Sequence, residues 1–135
     1  MKKIIIMLIM LCPFAPSAED QIECIDFLEA WNMKSSGLKF LGCQQIEKLP
    51  AVLLQATYSV NSSDAKNVED ILYEKFSMPR LRFVCCGWET KEVTYTTRND
   101  VYAINMYSMG EFKESAEWES FTEFHVTVGK YLVLP

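Results

Sequence analysis

The chain has little of several residue types and motifs that identify particular functions. One histidine, five glycines and five prolines occur in 135 residues, and the formal net charge is −5. So little glycine and proline excludes collagen-like and low-complexity chains, and the negative charge gives no basic footprint for nucleic acid. The sequence also lacks a Gly-x-Ser-x-Gly elbow, a phosphate-binding loop and a His-Glu-x-x-His motif. It therefore gives no direct evidence for a hydrolase.

The amino terminus has the layout of a secretory signal. Two lysines at positions 2 and 3 precede an apolar run of eight residues, Ile4 to Leu11, and a small, proline-containing stretch ends at Ala18. Eight residues are too few for a transmembrane helix, which needs about 20. We expect cleavage after Ser17 or Ala18, no stable membrane anchor, and a periplasmic or secreted protein.

Removal of this predicted signal peptide, residues 1–18, leaves residues 19–135. Half of the residues in the full sequence are apolar and 23% are charged, which is typical of a globular chain. No linker or repeat of fixed period divides the remainder, so we expect a single domain with a real hydrophobic core. Two lysines and no acid leave with the signal, so the net charge would fall from −5 to −7.

Two helices are predicted from apolar spacing. In residues 20–33, Cys24, Phe27, Leu28 and Trp31 would share one face. In the second helix, Ser62-Ser63-Asp64 supplies a cap and a first-turn acid, and Pro79 stops the helix. Its apolar face is Ala65, Val68, Leu72 and Phe76.

The remaining periodic segments predict strands. They are Leu38–Cys43, Val52–Val60, Arg80–Trp88, Val93–Thr97, Val101–Met109 and Phe124–Val133, and 111–120 is acidic and irregular. Short connections favour antiparallel pairing with both helices on one face. The predicted class is α+β: a single antiparallel sheet of five to six strands with two helices packed on one face, in the order α-β-β-α-β-β-β-β.

Four cysteines remain after the signal: Cys24, Cys43, Cys85 and Cys86. An even count in an exported chain indicates disulfides, whereas metal binding would require wider cysteine pairs with histidine nearby. Because a bond between neighbouring cysteines is rare, we exclude it, which leaves two connectivities. Strand phase favours Cys24–Cys85 and Cys43–Cys86. No metal or cofactor is predicted.

The run Cys85-Cys86-Gly87-Trp88-Glu89 resembles domain-of-unknown-function family 4952, a group of small exported bacterial proteins. Pro79 to Phe83 precedes the run, and Phe124 to Val128 with Tyr131-Leu132 follows it. The resemblance implies export and a four-cysteine framework. It implies no catalytic residue.

Four side chains are candidates for a binding surface: Trp88, Glu89, Trp118 and His125. Trp88 follows a glycine that permits a bulge, and Trp118 lies in a run of glutamates, a pattern that suits a basic protein partner. His125 is the only histidine, so a Ser–His–Asp or Cys–His enzyme would have to use it.

The sequence favours a non-catalytic, inhibitor- or immunity-like binding module with a protein partner. The alternatives are a small hydrolase-type enzyme that uses His125 and a small-ligand carrier with a pocket between the helices and the sheet. Nothing in the sequence fixes the oligomeric state.

Overall fold

The computed structural model describes residues 23–33, 35, 37–110 and 117–135. The predicted signal peptide, the start of the predicted 20–33 helix and residues 111–116 of the acidic run lie outside the described residues. The helices are α1 (Phe27–Ala30) and α2 (Ser62–Phe76), with a 3-10 turn at Trp118–Ser120. The strands are β1 (Leu38–Lys48), β2 (Ala51–Asn61), β3 (Arg82–Val84), β4 (Gly87–Glu89), β5 (Val93–Thr96), β6 (Val101–Met109) and β7 (Glu123–Val133).

The strands of the described chain form one antiparallel sheet in the order β1-β2-β7-β6-β4-β3, and β5 also pairs with β6. The long strands β2, β7 and β6 make up its centre. Two short strands share the outer edge of β6: Glu89 of β4 pairs with Tyr107, and β5 pairs with the first half of β6. The predicted single antiparallel sheet and two helices are confirmed for these residues.

The predicted count of five to six strands and the predicted order are wrong, because the described sheet has seven strands. Residues 80–88 form the hairpin β3–β4 instead of one strand. Cys85 has a φ of 56°, which turns the chain back at the position where a straight strand was expected. The first predicted strand, Leu38–Cys43, is also longer, since β1 continues to Lys48.

The second helix follows the prediction closely. All four residues of its predicted apolar face are buried. Asp64 lies in the first turn, Lys75 lies in the last turn, and Ser77 ends the helix in the left-handed conformation. The expected side-chain cap is not observed, because Asn61 occupies the cap position and its side chain makes no capping hydrogen bond.

The first helix is much shorter than predicted. The Asp26 side chain accepts a hydrogen bond from the Glu29 amide at 3.0 Å, which starts α1 at Phe27. Asn32 then takes a positive φ of 58° and the helix does not continue. Cys24 therefore precedes α1 and is not a residue of its apolar face.

One face of the sheet carries the core, and we call it the covered face. Alternate residues of β2 and β7 point to it, because neighbours in a strand face opposite ways, and the helix residues Leu28, Val68 and Leu72 pack on it. Both helices therefore lie on one face, as predicted. On the other, open face, a smaller apolar cluster consists of Ile46, Ala51, Leu53, Ala103 and Tyr131.

Candidate functional site

The four cysteines form two disulfides in the structure, Cys24–Cys43 and Cys85–Cys86. The predicted pairs Cys24–Cys85 and Cys43–Cys86 are therefore wrong. Cys43 of β1 pairs with the buried Ala56 and faces the covered side, so it meets the segment that leads into α1. The Cα atoms of Cys24 and Cys43 are 5.4 Å apart. The exclusion of a bond between neighbours failed because Cys85 and Cys86 lie in a turn and not in a strand.

The β3–β4 hairpin is held on the body of the protein by an acidic side chain of α2. Glu69 accepts a hydrogen bond from the Leu81 amide at 2.7 Å and contacts the Arg80 guanidinium at 3.3 Å. Arg80 also forms an ion pair with Asp70 and lies 4.2 Å from the centre of the Tyr73 ring. The hydrogen bond from Arg80 to Asp70 raises the pKa of this guanidinium, which stays charged. These contacts fix the position of the β3–β4 hairpin relative to α2.

Trp88 packs on the covered side of the hairpin. Its backbone N–H donates to Ser108 Oγ at 2.9 Å, and its ring centre lies 5.8 Å from that of Phe83 and 5.2 Å from that of Trp118. A Cβ at position 87 would lie 2.9 Å from Ser108 Oγ, so glycine permits this close contact without a shift of the serine side chain. The indole Nε1 of Trp88 is buried, and no acceptor lies within hydrogen-bond distance in the described part of the chain.

A cavity of about 350 Å³ lies beside the hairpin, at the edge of the sheet. We call it the hairpin cleft. Its lining residues are Val84, Cys85, Cys86, Gly87, Trp88, Glu89, Tyr107, Ser108, Gly110 and Phe121.

The chemistry of the hairpin cleft is mostly apolar, with a few polar groups. Three residues supply its apolar surface: the exposed Cys85, Val84, which is 45% exposed, and the buried Phe121. Burial raises the pKa of Tyr107 above its ordinary value of 10.0, and its protonated hydroxyl can donate a hydrogen bond. Glu89 is exposed and is the charged residue among the described lining residues. Such a surface suits a ligand with an apolar group, a hydrogen-bond acceptor and a positive charge.

The four predicted surface residues do not form one patch. Trp88 and Glu89 both line the hairpin cleft. Glu89 pairs with Tyr107, which in turn pairs with His125, so Glu89 and His125 lie in one row across the open face. Trp118 lies on the covered side.

Trp118 is a packing residue. It stacks on Phe124 with ring centres 4.6 Å apart, and its Nε1 donates to the Ser62 carbonyl at 2.9 Å. The Lys66 ammonium lies 4.7 Å from its ring centre, a cation–π contact that covers the indole. Among the predicted binding residues, Trp118 therefore supports Trp88 from behind, and an exposed role for it finds no support.

His125 has a carboxylate partner, and no nucleophile is bonded to it in the part of the chain that the structure describes. Its Nε2 lies 3.0 Å from Glu123 Oε1, its side chain is 14% exposed, and its ring centre is 5.9 Å from that of Tyr107. A base and its orienting carboxylate are two parts of a catalytic triad, which also needs a hydroxyl or thiol within hydrogen-bond reach. Within the described residues, no hydroxyl or thiol makes a hydrogen bond to His125.

Sequence reasoning missed Ser108 and Phe121 as neighbours of Trp88. The alternation in residues 101–109 showed that Tyr107 and Ser108 face opposite sides of a strand, but the pairing register that brings them to the hairpin depends on β4 being a separate strand. No group of three histidine, cysteine, aspartate or glutamate side chains in the described chain is placed to hold a metal ion. Among the described helices, none has the length and apolar character needed to cross a membrane.

The family model for a domain of unknown function, DUF4952, matches residues 14–88, more than half of the sequence. The chain belongs to this family. The predicted family resemblance is thus confirmed, and the matched segment contains all four paired cysteines and ends at Trp88. No curated protein and no solved structure matches the chain.

Proposed function

We propose that this member of the DUF4952 family is an exported, disulfide-stabilised, non-catalytic binding module, and that its hairpin cleft holds a segment of a protein partner. The observation that carries the proposal is the buried indole N–H of Trp88, a residue that lines the hairpin cleft: this N–H has no acceptor among the described residues. A buried donor without a partner costs about 1–3 kcal/mol. A carbonyl or side-chain oxygen of a bound partner would remove that cost.

The charge and shape of the hairpin cleft define the kind of partner. Glu89 would attract a lysine or arginine of the partner, and the net charge of −5 would favour encounter with a basic protein. Arg82 is the strand partner of Glu89 across the hairpin, and these two side chains do not form an ion pair, so the carboxylate is open to a cation of the partner. An apolar partner side chain would fill the space between Val84 and Phe121. This chemistry fits an inhibitor- or immunity-like module.

Two features support an extracytoplasmic location. The signal-like start of the sequence provides a route, and two disulfides suit an oxidising compartment.

A site-specific crosslink tests the partner. A photo-crosslinking residue is placed at Val84, on the rim of the hairpin cleft, and in a control protein at Glu74, an exposed residue of α2. Both proteins are exposed to light in the periplasmic fraction. We expect a covalent protein adduct from position 84 only. Equal adducts from both positions, or none from position 84, would overturn the proposal.

Affinity measurements with the purified adduct partner then test the chemistry. Trp88→Phe keeps a ring and removes the N–H, and Glu89→Gln removes the charge. We expect the dissociation constant of Trp88→Phe to be about three- to tenfold larger than that of the parent, which corresponds to one hydrogen bond. The increase for Glu89→Gln should be smaller. Glu74→Gln should bind as the parent does. His125→Ala should also leave binding unchanged. If the parent protein hydrolyses a substrate and His125→Ala does not, the enzyme alternative is favoured.

A further inference from the structure

A second cavity lies at the other end of the β6 edge, between α1, α2 and β5. Its volume is about 470 Å³. The described residues that line it are Trp31, Asn32, Met33, Ile71, Lys75, Phe76 and Tyr95. We call it the aromatic cavity. It shares no described lining residue with the hairpin cleft. A test of one site therefore does not depend on the result for the other.

Three rings from three different elements form its walls. The ring centre of Tyr95 lies 5.4 Å from that of Trp31 and 4.8 Å from that of Phe76, and Trp31 and Phe76 are 5.7 Å apart. Their planes are steeply inclined to each other, in the edge-to-face arrangement that aromatic pairs prefer. Tyr102 supports Trp31 from below at 4.7 Å. The walls are therefore held before any ligand arrives, which lowers the entropic cost of binding.

The polar side chains of the aromatic cavity, those of Asn32, Lys75 and Tyr95, can all donate hydrogen bonds. Lys75 is the charged residue among the described lining residues, and no carboxylate of the described chain forms an ion pair with it. The Tyr95 hydroxyl and the Asn32 side-chain amide make no hydrogen bond within the same residues. A cavity whose charged residue, among the described lining residues, is a lysine favours an anionic ligand over a cationic one.

The helix dipole acts in the opposite sense and is weaker. The cavity lies at the carboxyl-terminal end of α2, where the dipole amounts to about half a negative charge. Lys75 occupies the last turn of that helix and supplies a full positive charge. The Ser77 amide also donates to the Tyr73 carbonyl at 2.9 Å, which neutralises one of the free carbonyls. The full charge of Lys75 therefore exceeds the opposing partial charge at this end of α2.

We propose that the aromatic cavity binds a small aromatic carboxylate. The ligand ring packs among Trp31, Phe76 and Tyr95, and its carboxylate accepts hydrogen bonds from the Lys75 ammonium and the Tyr95 hydroxyl. The cavity volume lies within the range of ordinary small-molecule sites, about 300–1,000 Å³. A ligand with one ring and a short carboxylate side chain fits within it.

The test is calorimetric titration of the mature protein with four matched probes. Phenylacetate carries both features, phenylacetamide lacks the charge, phenethylamine reverses it, and cyclohexylacetate lacks the aromatic ring. We expect a dissociation constant of about 1 mM or tighter for phenylacetate, in keeping with the affinity of fragments of this size. The amide and cyclohexyl probes should bind at least several-fold more weakly, and the amine should be weakest.

Variants identify the site. Lys75 is exposed, so Lys75→Met should fold normally; we expect it to weaken phenylacetate about tenfold and to remove the preference over the amide. Lys75→Arg should retain both the phenylacetate affinity and the preference over the amide. Lys48→Met, at an exposed lysine outside the lining of the cavity, should behave as the parent does. Trp88→Phe should leave phenylacetate binding unchanged. Absence of phenylacetate binding, preference for the amine or the amide, or an unchanged Lys75→Met variant would overturn the proposal.

Discussion

At the scale of single residues, Tyr58 connects the sheet to the first helix. Its side chain is 2% exposed, and its hydroxyl accepts a hydrogen bond from the Leu28 amide at 3.1 Å and donates one to Asp26 Oδ1 at 2.7 Å. Asp26 also caps α1. One buried hydroxyl therefore fixes both the start of a four-residue helix and its place on β2. A helix this short has little stability of its own.

Tyr58→Phe should lower the free energy of unfolding by about 1–3 kcal/mol, because it leaves the buried Leu28 amide without an acceptor. Urea unfolding followed by circular dichroism measures the change. Tyr73→Phe is the matched control, since Tyr73 is 47% exposed and its hydroxyl makes no hydrogen bond in the described residues. Equal stability of the two variants would show that the hydroxyl of Tyr58 does not hold α1.

The same tyrosine gives a pH dependence with a defined sign. Burial raises the pKa of Tyr58 above its ordinary value of 10.0, so the folded state keeps the proton when the unfolded chain has already released it. The stability from this group is complete below pH 10.0 and is lost as the pH rises above that value. The parent should therefore lose stability more steeply above pH 10.0 than Tyr58→Phe does. Parallel slopes would contradict the buried, protonated phenol.

At the scale of elements, β2 and α2 could be predicted from the sequence and the β3–β4 hairpin could not. Strict alternation in β2 and the spacing of four apolar residues in α2 each identify one element without reference to the rest of the chain. The run 80–88 has the composition of a strand along its whole length. Its turn depends on a positive φ at Cys85, a residue type that rarely adopts it, so composition gave no signal.

The same limit applies to the two candidate sites. Trp88 and Glu89 were found because Gly87, directly before Trp88, permits a bulge at a strand end. Trp31, Phe76 and Tyr95 each follow the apolar pattern of their own element, and only tertiary packing brings the three together around a cavity. Local periodicity identifies which face a side chain occupies. It does not identify the neighbours across elements.

The two disulfides should contribute unequally to stability. Cys24–Cys43 spans 19 residues, and closure of such a loop is worth about 3 kcal/mol in the chain-entropy model. Cys85–Cys86 joins neighbours and closes almost no loop. We expect the double variant Cys24→Ser/Cys43→Ser to lose about 3 kcal/mol of unfolding free energy, and Cys85→Ser/Cys86→Ser to lose clearly less. Reversal of that order would contradict the pairing.

Peptide mapping without reduction checks the pairing directly. Trypsin cleavage after Arg82 and Lys91 places Cys85 and Cys86 in one peptide, whereas Cys24 and Cys43 lie in two. We expect the first peptide to be lighter than its reduced form by two hydrogens and the other two peptides to be joined. A disulfide between the peptide that contains Cys85 and Cys86 and either of the other two peptides would contradict the observed pairing and favour the one predicted from strand phase.

At the scale of the whole molecule, both proposed sites lie along the outer edge of β6. The central strands pair along their whole lengths, but β6 is completed on its outer side by two short strands, β4 and β5. Thr90 holds the junction: its amide donates to the Met106 carbonyl, and its hydroxyl accepts from the Met106 amide, both at 2.9 Å. The hairpin cleft and the aromatic cavity occupy the two ends of this divided edge. Each cavity is also lined by a residue of the main core, Phe121 in the hairpin cleft and Phe76 in the aromatic cavity, so both sites are built on the same core.

Export is the remaining property on which the proposed function depends. The full sequence is produced in a bacterial host, and the periplasmic protein is analysed by intact mass and amino-terminal sequencing. We expect a chain that begins at Ala18 or Glu19, because cleavage after Ser17 or Ala18 leaves a small residue before the cut, with both disulfides formed. Leu8→Arg, which interrupts the apolar run, should keep the protein in the cytoplasm with its leader attached. A parent protein that retains Met1 and reduced cysteines in the cytoplasm would contradict export, and with it the oxidising environment that the disulfides require.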